Sequence, residues 1–152
     1  MKRSVLVVAF MFLMAGGVFA QPSKVAMESQ EKTLYQRLGG YDALAAVTDD
    51  FITRLATDKK LGKFFVGLST DSKTKVRQHV IDFLCVATGG PCKYIGRDMK
   101  TVHTGLMITK AEWDVSVKHL IATLDKFKVP AKEKAEVLGA VGGLEKDIVE
   151  VK

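Results

Sequence analysis

Apolar residues recur at steps of three and four positions in four separate stretches of this 152-residue chain. That spacing places the apolar side chains of each stretch on one face of an α-helix. No stretch alternates apolar and polar residues for long enough to predict a sheet, so the predicted class is all-α with four or five substantial helices. The four stripes are Leu44, Val47, Phe51 and Leu55; Val76, Val80, Phe83, Leu84 and Ala87; Trp113, Val117, Leu120, Ile121 and Leu124; and Val137, Leu138, Val141, Leu144 and Ile148.

Local signals set the expected ends of these helices. Gly39-Gly40 is predicted to stop a short first helix, after which a second runs over about 43–56. Gly89-Gly90-Pro91 is predicted to end a helix over 71–88. The pattern Thr109-x-x-Glu112 is a capping box that predicts a helix start, and Pro130 is expected in the first turn of the last helix.

The first twenty residues have the pattern of a secretory signal peptide. Lys2 and Arg3 precede an apolar run over 5–15, and a small-residue cleavage site follows at 18–20. The apolar run is shorter than the ~20 residues that cross a bilayer. We therefore expect cleavage before Gln21 and a soluble, periplasmic mature protein with no stable membrane insertion. An uncleaved N-terminal anchor is the alternative.

The chain after the predicted signal peptide fits a single domain. Residues 21–31 lack periodicity and are expected to form a flexible leader, and residues 32–152 form the predicted domain. The formal charge falls from +6 to +4 when Lys2 and Arg3 leave. The remaining positive charges form no basic run and are not interleaved with aromatic residues, so nucleic-acid binding is not expected.

Cys85 and Cys92 are the only two cysteines. An oxidising compartment allows them to form a disulfide, and two separate buried thiols are the alternative. Their spacing fits neither a zinc knuckle nor covalent haem attachment.

The three histidines leave two interpretations open. His119 is expected on a helix flank in a structural or solvent-facing role, and a lone histidine among apolar residues, such as His103, is often a core residue. No catalytic motif is present. The remaining chemical possibility is haem held by one axial histidine, with His103 facing the apolar residues Phe65, Val76, Val80 and Phe83.

Four runs of residues, taken together, resemble the truncated haemoglobins of group I. They are "LYQRLGG" at 34–40, "FF" at 64–65, "GGPCKYIGRDMKTVHTGLMIT" at 89–109 and "VGGLEKDIV" at 141–149. The resemblance extends over nearly the whole predicted domain. It implies a two-over-two helical sandwich, which is a shortened globin fold around haem b.

The resemblance also implies roles for individual residues. His103 matches the proximal iron ligand, and Phe65 matches the phenylalanine that packs on the porphyrin. Arg97 and Lys100 are expected to pair with a haem propionate, with simple solvation as the alternative. The implied haem contacts are Phe64, Phe65, Val76, Val80, Phe83, Leu84, Tyr94 and Met99.

The distal side departs from the family pattern. Ile52 stands where oxygen-holding members usually have tyrosine, and Val80 stands where they have glutamine, while Val76 is a third apolar pocket position. His79 matches the histidine that is the sixth iron ligand in some members. The resemblance therefore implies bis-histidine coordination by His103 and His79, and the alternative places His79 outside the pocket beside a haem edge or propionate.

The implied function is the binding of oxygen, nitric oxide or carbon monoxide, including oxygen transport. Oxidation of nitric oxide to nitrate, or reaction with nitrite, hydroxylamine or peroxide, would need an external reductase as redox partner. The alternative is an electron-transfer haem protein that remains six-coordinate and neither stores nor carries gas.

Overall fold

The computed structural model describes residues 31–151. The predicted signal peptide (1–20) lies outside these residues, as does the predicted leader (21–31) except for Glu31. The elements are α1 (Leu34–Arg37), α2 (Gly40–Thr57), a 3₁₀ helix (Gly62–Phe65), α3 (Thr70–Ala87), α4 (Met99–His103), α5 (Lys110–Lys126), α6 (Ala131–Gly142) and α7 (Glu145–Ile148). The all-α class is confirmed, because the β-type pairing within 31–151 amounts to one isolated bridge between Thr109 and Val151.

The first two helices meet at the first glycine pair. Thr33 and Gln36 form a capping box that starts α1. Gly39 and Gly40 have φ values of 100° and 79°, which glycine adopts without the steric cost of a Cβ atom. The prediction that α1 stops here is confirmed. The predicted start of α2 near residue 43 is wrong, because the chain turns within the pair and Gly40 already begins α2.

The second glycine pair ends α3 as predicted. Gly89 has a φ of 79°, and the Gly90 N–H donates to the Cys85 carbonyl at 2.7 Å. Cys85 and Cys92 form a disulfide, with Cα atoms 5.8 Å apart. The bond joins the end of α3 to the segment that leads to α4, so the alternative of two separate thiols does not hold.

Side-chain caps start the two helices that follow. The Asp98 carboxylate accepts a hydrogen bond from the Thr101 N–H at 2.8 Å and begins α4. Thr109 and Glu112 form the predicted capping box at the start of α5, with reciprocal bonds of 3.2 and 2.9 Å.

The last apolar stripe belongs to two helices rather than one. Pro130 is the N-cap of α6 and precedes its first residue, one position earlier than predicted. The predicted continuous helix is interrupted at Gly142-Gly143, where the Leu144 N–H donates to the Val141 carbonyl at 2.9 Å. This three-residue step tightens the backbone, and α7 begins after Leu144 as a separate helix.

The long helices form two layers of two. α2 packs against α3 and α5, and α5 also packs against α6. One apolar cluster joins α2, α5 and α6 through Val47, Leu120, Leu124 and Val137. A second cluster of Ile108, Trp113 and Ile148 lies near α4 and α7 and is called the Trp113 cluster below. None of the helices within 31–151 is both long enough and apolar enough to cross a membrane.

Candidate haem site

His103 is the last residue of α4, and its own helix orients its ring. Nδ1 lies 2.7 Å from the Met99 carbonyl oxygen. A carbonyl only accepts hydrogen bonds, so Nδ1 donates, and the neutral ring keeps its lone pair on Nε2. Histidine ligands of metals commonly have this arrangement, because the hydrogen bond at one nitrogen fixes the tautomer and orientation that the other nitrogen needs.

His79 lies on α3 with an uncommitted ring. Its side chain is half-buried, and Nδ1 is buried without a hydrogen-bond partner in the described part of the chain. Burying an unpaired polar atom costs free energy. The Tyr94 ring packs edge-on against the imidazole, with centroids 6.0 Å apart. The His79 ring is therefore held by packing, and its nitrogens remain available to a group such as a metal.

The helices that carry His79 and His103 pack against different partners. α3 packs mainly on α2, whereas α4 packs mainly on α7. The segment between them, residues 88–98, contains the disulfide-bonded Cys92 and the Tyr94 side chain, whose hydroxyl donates to the Arg97 carbonyl at 2.6 Å. A flat cofactor between α3 and α4 would thus be bounded by two independently supported walls.

Several residues predicted to contact the porphyrin share the same degree of burial. Phe65 ends the 3₁₀ helix, and Val76, Val80 and Phe83 lie at three- and four-residue steps on α3. All four are half-buried. Incompletely covered apolar side chains on one helix face are typical of a groove that receives an apolar ligand. Phe83 also packs edge-on against Tyr94, with centroids 5.5 Å apart.

The remaining predicted apolar contacts have partners elsewhere in the core. Phe64 and Met99 pack against the Trp113 cluster. Leu84 lines an apolar cavity of about 120 Å³ between α2, α5 and α6. Met99 therefore connects the His103 helix to the core, and Leu84 connects α3 to this cavity.

Arg97 and Lys100 are both exposed at the start of α4. Neither forms an ion pair within the described residues, so both charges are free to meet a carboxylate such as a haem propionate.

The structure also contains polar groups that the sequence pattern did not single out. The Glu150 carboxylate accepts hydrogen bonds from the backbone N–H groups of Gly105 and Met107, just after His103. Thr48 is fully buried on α2, and its hydroxyl has no partner within 31–151. No sequence signal indicates the Glu150 contact, because it depends on where the C-terminal segment returns. His119 lies on the α5 flank as expected and contacts Asp58, with Nε2 2.9 Å from Oδ2.

These residues fit haem as a bound group. His103 has one ring nitrogen committed to its own helix and the other free to bind iron, and His79 has a buried nitrogen without a partner. Apolar side chains and free cations match the two chemical parts of haem, which are an apolar macrocycle and two carboxylates.

Comparisons with known proteins agree with this chemistry. The family model of the bacterial-like globin matches residues 33–150. The group 1 truncated hemoglobin GlbN of Mycolicibacterium paratuberculosis is 32% identical over 121 residues, which cover 80% of this chain and 87% of that protein.

Two solved structures share the fold. The truncated hemoglobin of Tetrahymena pyriformis in its Fe(III) form has a TM-score of 0.70 and 28% identity, covering 78% of this chain and 98% of that one. The 2/2 hemoglobin of Synechococcus sp. PCC 7002, solved in the cyanomet state with covalently attached heme, has a TM-score of 0.71, 28% identity and the same coverage. This chain therefore belongs to the bacterial-like globin family, as a group 1 truncated haemoglobin with the two-over-two fold and haem b as its cofactor.

Proposed function

We propose that this protein is an exported haemoglobin that binds small diatomic gases at a haem iron held by His103 and His79. The main support for this proposal is the orientation of the His103 ring, because its Nδ1 bond to the Met99 carbonyl leaves Nε2 as the metal-binding nitrogen. His79 is the exchangeable ligand on the other face. The haem supplies the iron that binds the gas and changes oxidation state.

The surroundings of His79 support its role as an iron ligand. Ile52 and Val80 stand where the resemblance implies a hydrogen-bond donor to a bound gas, Val76 is a third pocket position, and none of the three side chains can donate a hydrogen bond. The His79 ring is held by Tyr94, and its buried nitrogen has no protein partner in the part of the chain that the structure describes. An imidazole without a competing polar neighbour is available to bind iron and to yield to a diatomic ligand.

The apolar cavity beside Leu84 supports a small, uncharged ligand. Its lining includes Leu44, Val47, Leu120 and Leu124, and its volume of about 120 Å³ exceeds what a diatomic molecule needs. Apolar cavities of this kind take up small apolar molecules more readily than water.

Absorption spectra of the haem-loaded protein test the proposed ligation. We expect wild type to be low-spin in both ferric and ferrous states, and His79→Leu to be high-spin with faster carbon monoxide binding. His103→Ala should lose the low-spin spectrum and regain it with added imidazole. His119→Leu is the matched control and should retain the wild-type spectrum, because His119 lies on α5 and pairs with Asp58 at the end of α2. A high-spin wild type, or a His79→Leu spectrum identical to wild type, contradicts bis-histidine ligation.

Electron transfer is the second candidate function. The absence of a donor at Ile52, Val76 and Val80 favours it, because a bound oxygen molecule would lack hydrogen-bond support from these positions. Carbon monoxide separates the two functions. A gas-binding protein should exchange His79 for carbon monoxide within seconds, whereas an electron carrier should stay six-coordinate under the same gas. Oxidation of nitric oxide would add a need for an external reductase.

The protein's location is proposed to be the periplasm. Lys2, Arg3, the apolar run over 5–15 and the site at 18–20 support export with cleavage before Gln21. The Cys85–Cys92 disulfide also supports an oxidising compartment.

A further inference from the structure

One carboxylate holds the turn that follows His103. Glu150 Oε1 accepts the Gly105 N–H at 2.9 Å, and Oε2 accepts the Met107 N–H at 2.6 Å. Both carboxylate oxygens are thus bonded to a single short segment. Glu150 lies 45 residues after Gly105 and 43 after Met107. This contact therefore fixes the C-terminal segment to the end of α4.

The turn needs such a partner because its backbone is unusual. Gly105 has a φ of 87°, and Met107 has a φ of 54°, a left-handed conformation that is strained for a residue with a Cβ atom. Two N–H groups point the same way in this turn. The Glu150 carboxylate accepts from both N–H groups, so its contact favours the backbone conformation that presents them together.

The turn is connected to the His103 ring through consecutive hydrogen bonds. The Leu106 N–H donates to the His103 carbonyl at 3.1 Å, and the Thr104 N–H donates to the Lys100 carbonyl at 2.9 Å. The His103 ring in turn bonds the Met99 carbonyl. A shift of the turn would therefore move the end of α4 and the imidazole with it.

Glu150 is itself fixed on its backbone side. Its N–H and that of Val151 donate to the Ile108 carbonyl at 2.9 and 3.1 Å, and the Lys110 N–H returns a bond to the Val151 carbonyl at 3.2 Å. The carboxylate is thus presented from a segment paired with the start of α5, and it reaches the turn from a defined position.

We propose that Glu150 is a positioning residue for the proximal histidine. Its carboxylate sets the geometry of the 104–107 turn and, through it, the direction in which His103 meets the iron. This inference rests on the proposed function, because it takes His103 as the proximal ligand. It assigns to the C-terminal segment control over the iron–histidine bond, beyond its part in the fold.

The test uses haem-loaded full-length protein carrying His79→Leu, which makes the ferrous iron five-coordinate and exposes the iron–histidine stretching band in resonance Raman spectra. We expect Glu150→Ala to shift or broaden this band and to speed haem loss to an acceptor globin roughly tenfold, which is the lower end of the effect of removing a group that orients a metal ligand. Glu150→Gln keeps one acceptor oxygen and should show a smaller shift. Glu145→Gln removes the same charge from a nearby, partly exposed site and is the matched control.

The outcomes separate this inference from the proposed function. If the band persists in His103→Ala, His103 is not the ligand and the proposed function fails. If the band belongs to His103 but keeps its frequency and width in both Glu150 variants, Glu150 is not a positioning residue, whatever the variants do to thermal stability. Glu150→Gln retains the side-chain shape, so it gives a reading even if Glu150→Ala does not fold.

Discussion

The buried carboxylate of Glu112 on α5 contacts both Thr109, which precedes this helix, and Lys63 in the 3₁₀ helix. Oε2 accepts hydrogen bonds from the backbone N–H and the hydroxyl of Thr109, both at 2.9 Å, and Oε1 lies 2.6 Å from the Lys63 ammonium. Lys63 belongs to the 3₁₀ helix that carries Phe64 and Phe65. Glu112 therefore caps α5 and also holds the 3₁₀ helix against it. The Lys63 contact and then the Thr109 bonds lower the pKa of Glu112 from 4.5 to about 2.

This pKa shift predicts an acid dependence of stability. A carboxylate with a lowered folded-state pKa contributes stability above its unfolded pKa of about 4.5, and this contribution is lost as pH falls towards 2. Glu112→Gln should lower the free energy of unfolding by about 1–2 kcal/mol at pH 7 and should lack this part of the acid slope. Denaturant titrations from pH 7 to pH 2.5 measure both effects.

Asp114→Asn is the control for Glu112. It removes a charge two residues further along the same helix, where Asp114 makes only an exposed pair with Lys110. We expect little change in stability, because exposed pairs contribute about 1 kcal/mol at most. Parallel acid slopes for Glu112→Gln and wild type would show that Glu112 is not the titrating group.

At the scale of residues, the sequence could predict contacts that lie within one turn of the chain. The Thr109-x-x-Glu112 spacing predicted the cap of α5, and the structure confirms it. The contacts of Glu112 with Lys63 and of Glu150 with the 104–107 turn could not be predicted, because each joins residues more than 40 positions apart. The role of His103 came from the resemblance, since a lone histidine in an apolar stretch fits a core position equally well.

Glycines decide where the elements begin, end and approach each other. A Cβ atom at Gly90 would lie 2.6 Å from the Cys85 sulfur and 2.6 Å from the Tyr35 ring, so only glycine allows α1 and the end of α3 to meet here. Gly139, by contrast, lies within α6 with no neighbour within 4 Å of a Cβ position.

The two glycines should therefore respond to alanine in opposite directions. Gly90→Ala should lower the free energy of unfolding by about 1–3 kcal/mol, because the added methyl group overpacks the contact with Tyr35 and the disulfide. Gly139→Ala should raise it by about 0.5–1 kcal/mol, because alanine restricts the unfolded chain and favours the helix. Guanidinium unfolding at fixed pH measures both. Equal effects of the two substitutions would contradict this account of α1–α3 packing.

At the scale of elements, periodicity predicted the long helices but not every boundary. The stripe that continues through Val141, Leu144 and Ile148 predicted one helix, and the break at Gly142-Gly143 divides it. The stripe survives the break because α6 and α7 both contribute side chains to the Trp113 cluster. A glycine pair in the sequence does not show whether a helix ends there and a loop follows, as at Gly89-Gly90, or whether a new helix begins within the pair, as at Gly39-Gly40.

At the scale of the whole molecule, the site depends on packing between distant helices. α3 packs on α2 and α4 packs on α7. The proposed pairing of His79 and His103 at one haem therefore depends on the assembly of these two separate helix pairs. No local pattern in the sequence specifies this assembly. The two-over-two arrangement was predicted from the family resemblance, and the structural relatives confirm this fold.

Export and the disulfide give the last prediction. The Cys85–Cys92 bond closes a short loop next to the segment that carries Tyr94, and a loop of this length should add about 2–3 kcal/mol to the free energy of unfolding. Protein made with residues 1–20 should be recovered from the periplasm with Gln21 at its N terminus and without free thiols after denaturation and alkylation. Protein made from Gln21 in a reducing cytosol should keep both thiols and melt about 10 °C lower. The Cys85→Ser/Cys92→Ser variant is the control, because it should melt at the lower temperature in both compartments. An intact N terminus at Met1 would contradict cleavage, and two alkylated thiols in the periplasmic protein would contradict the disulfide, so mass spectrometry of one sample tests the two proposals separately.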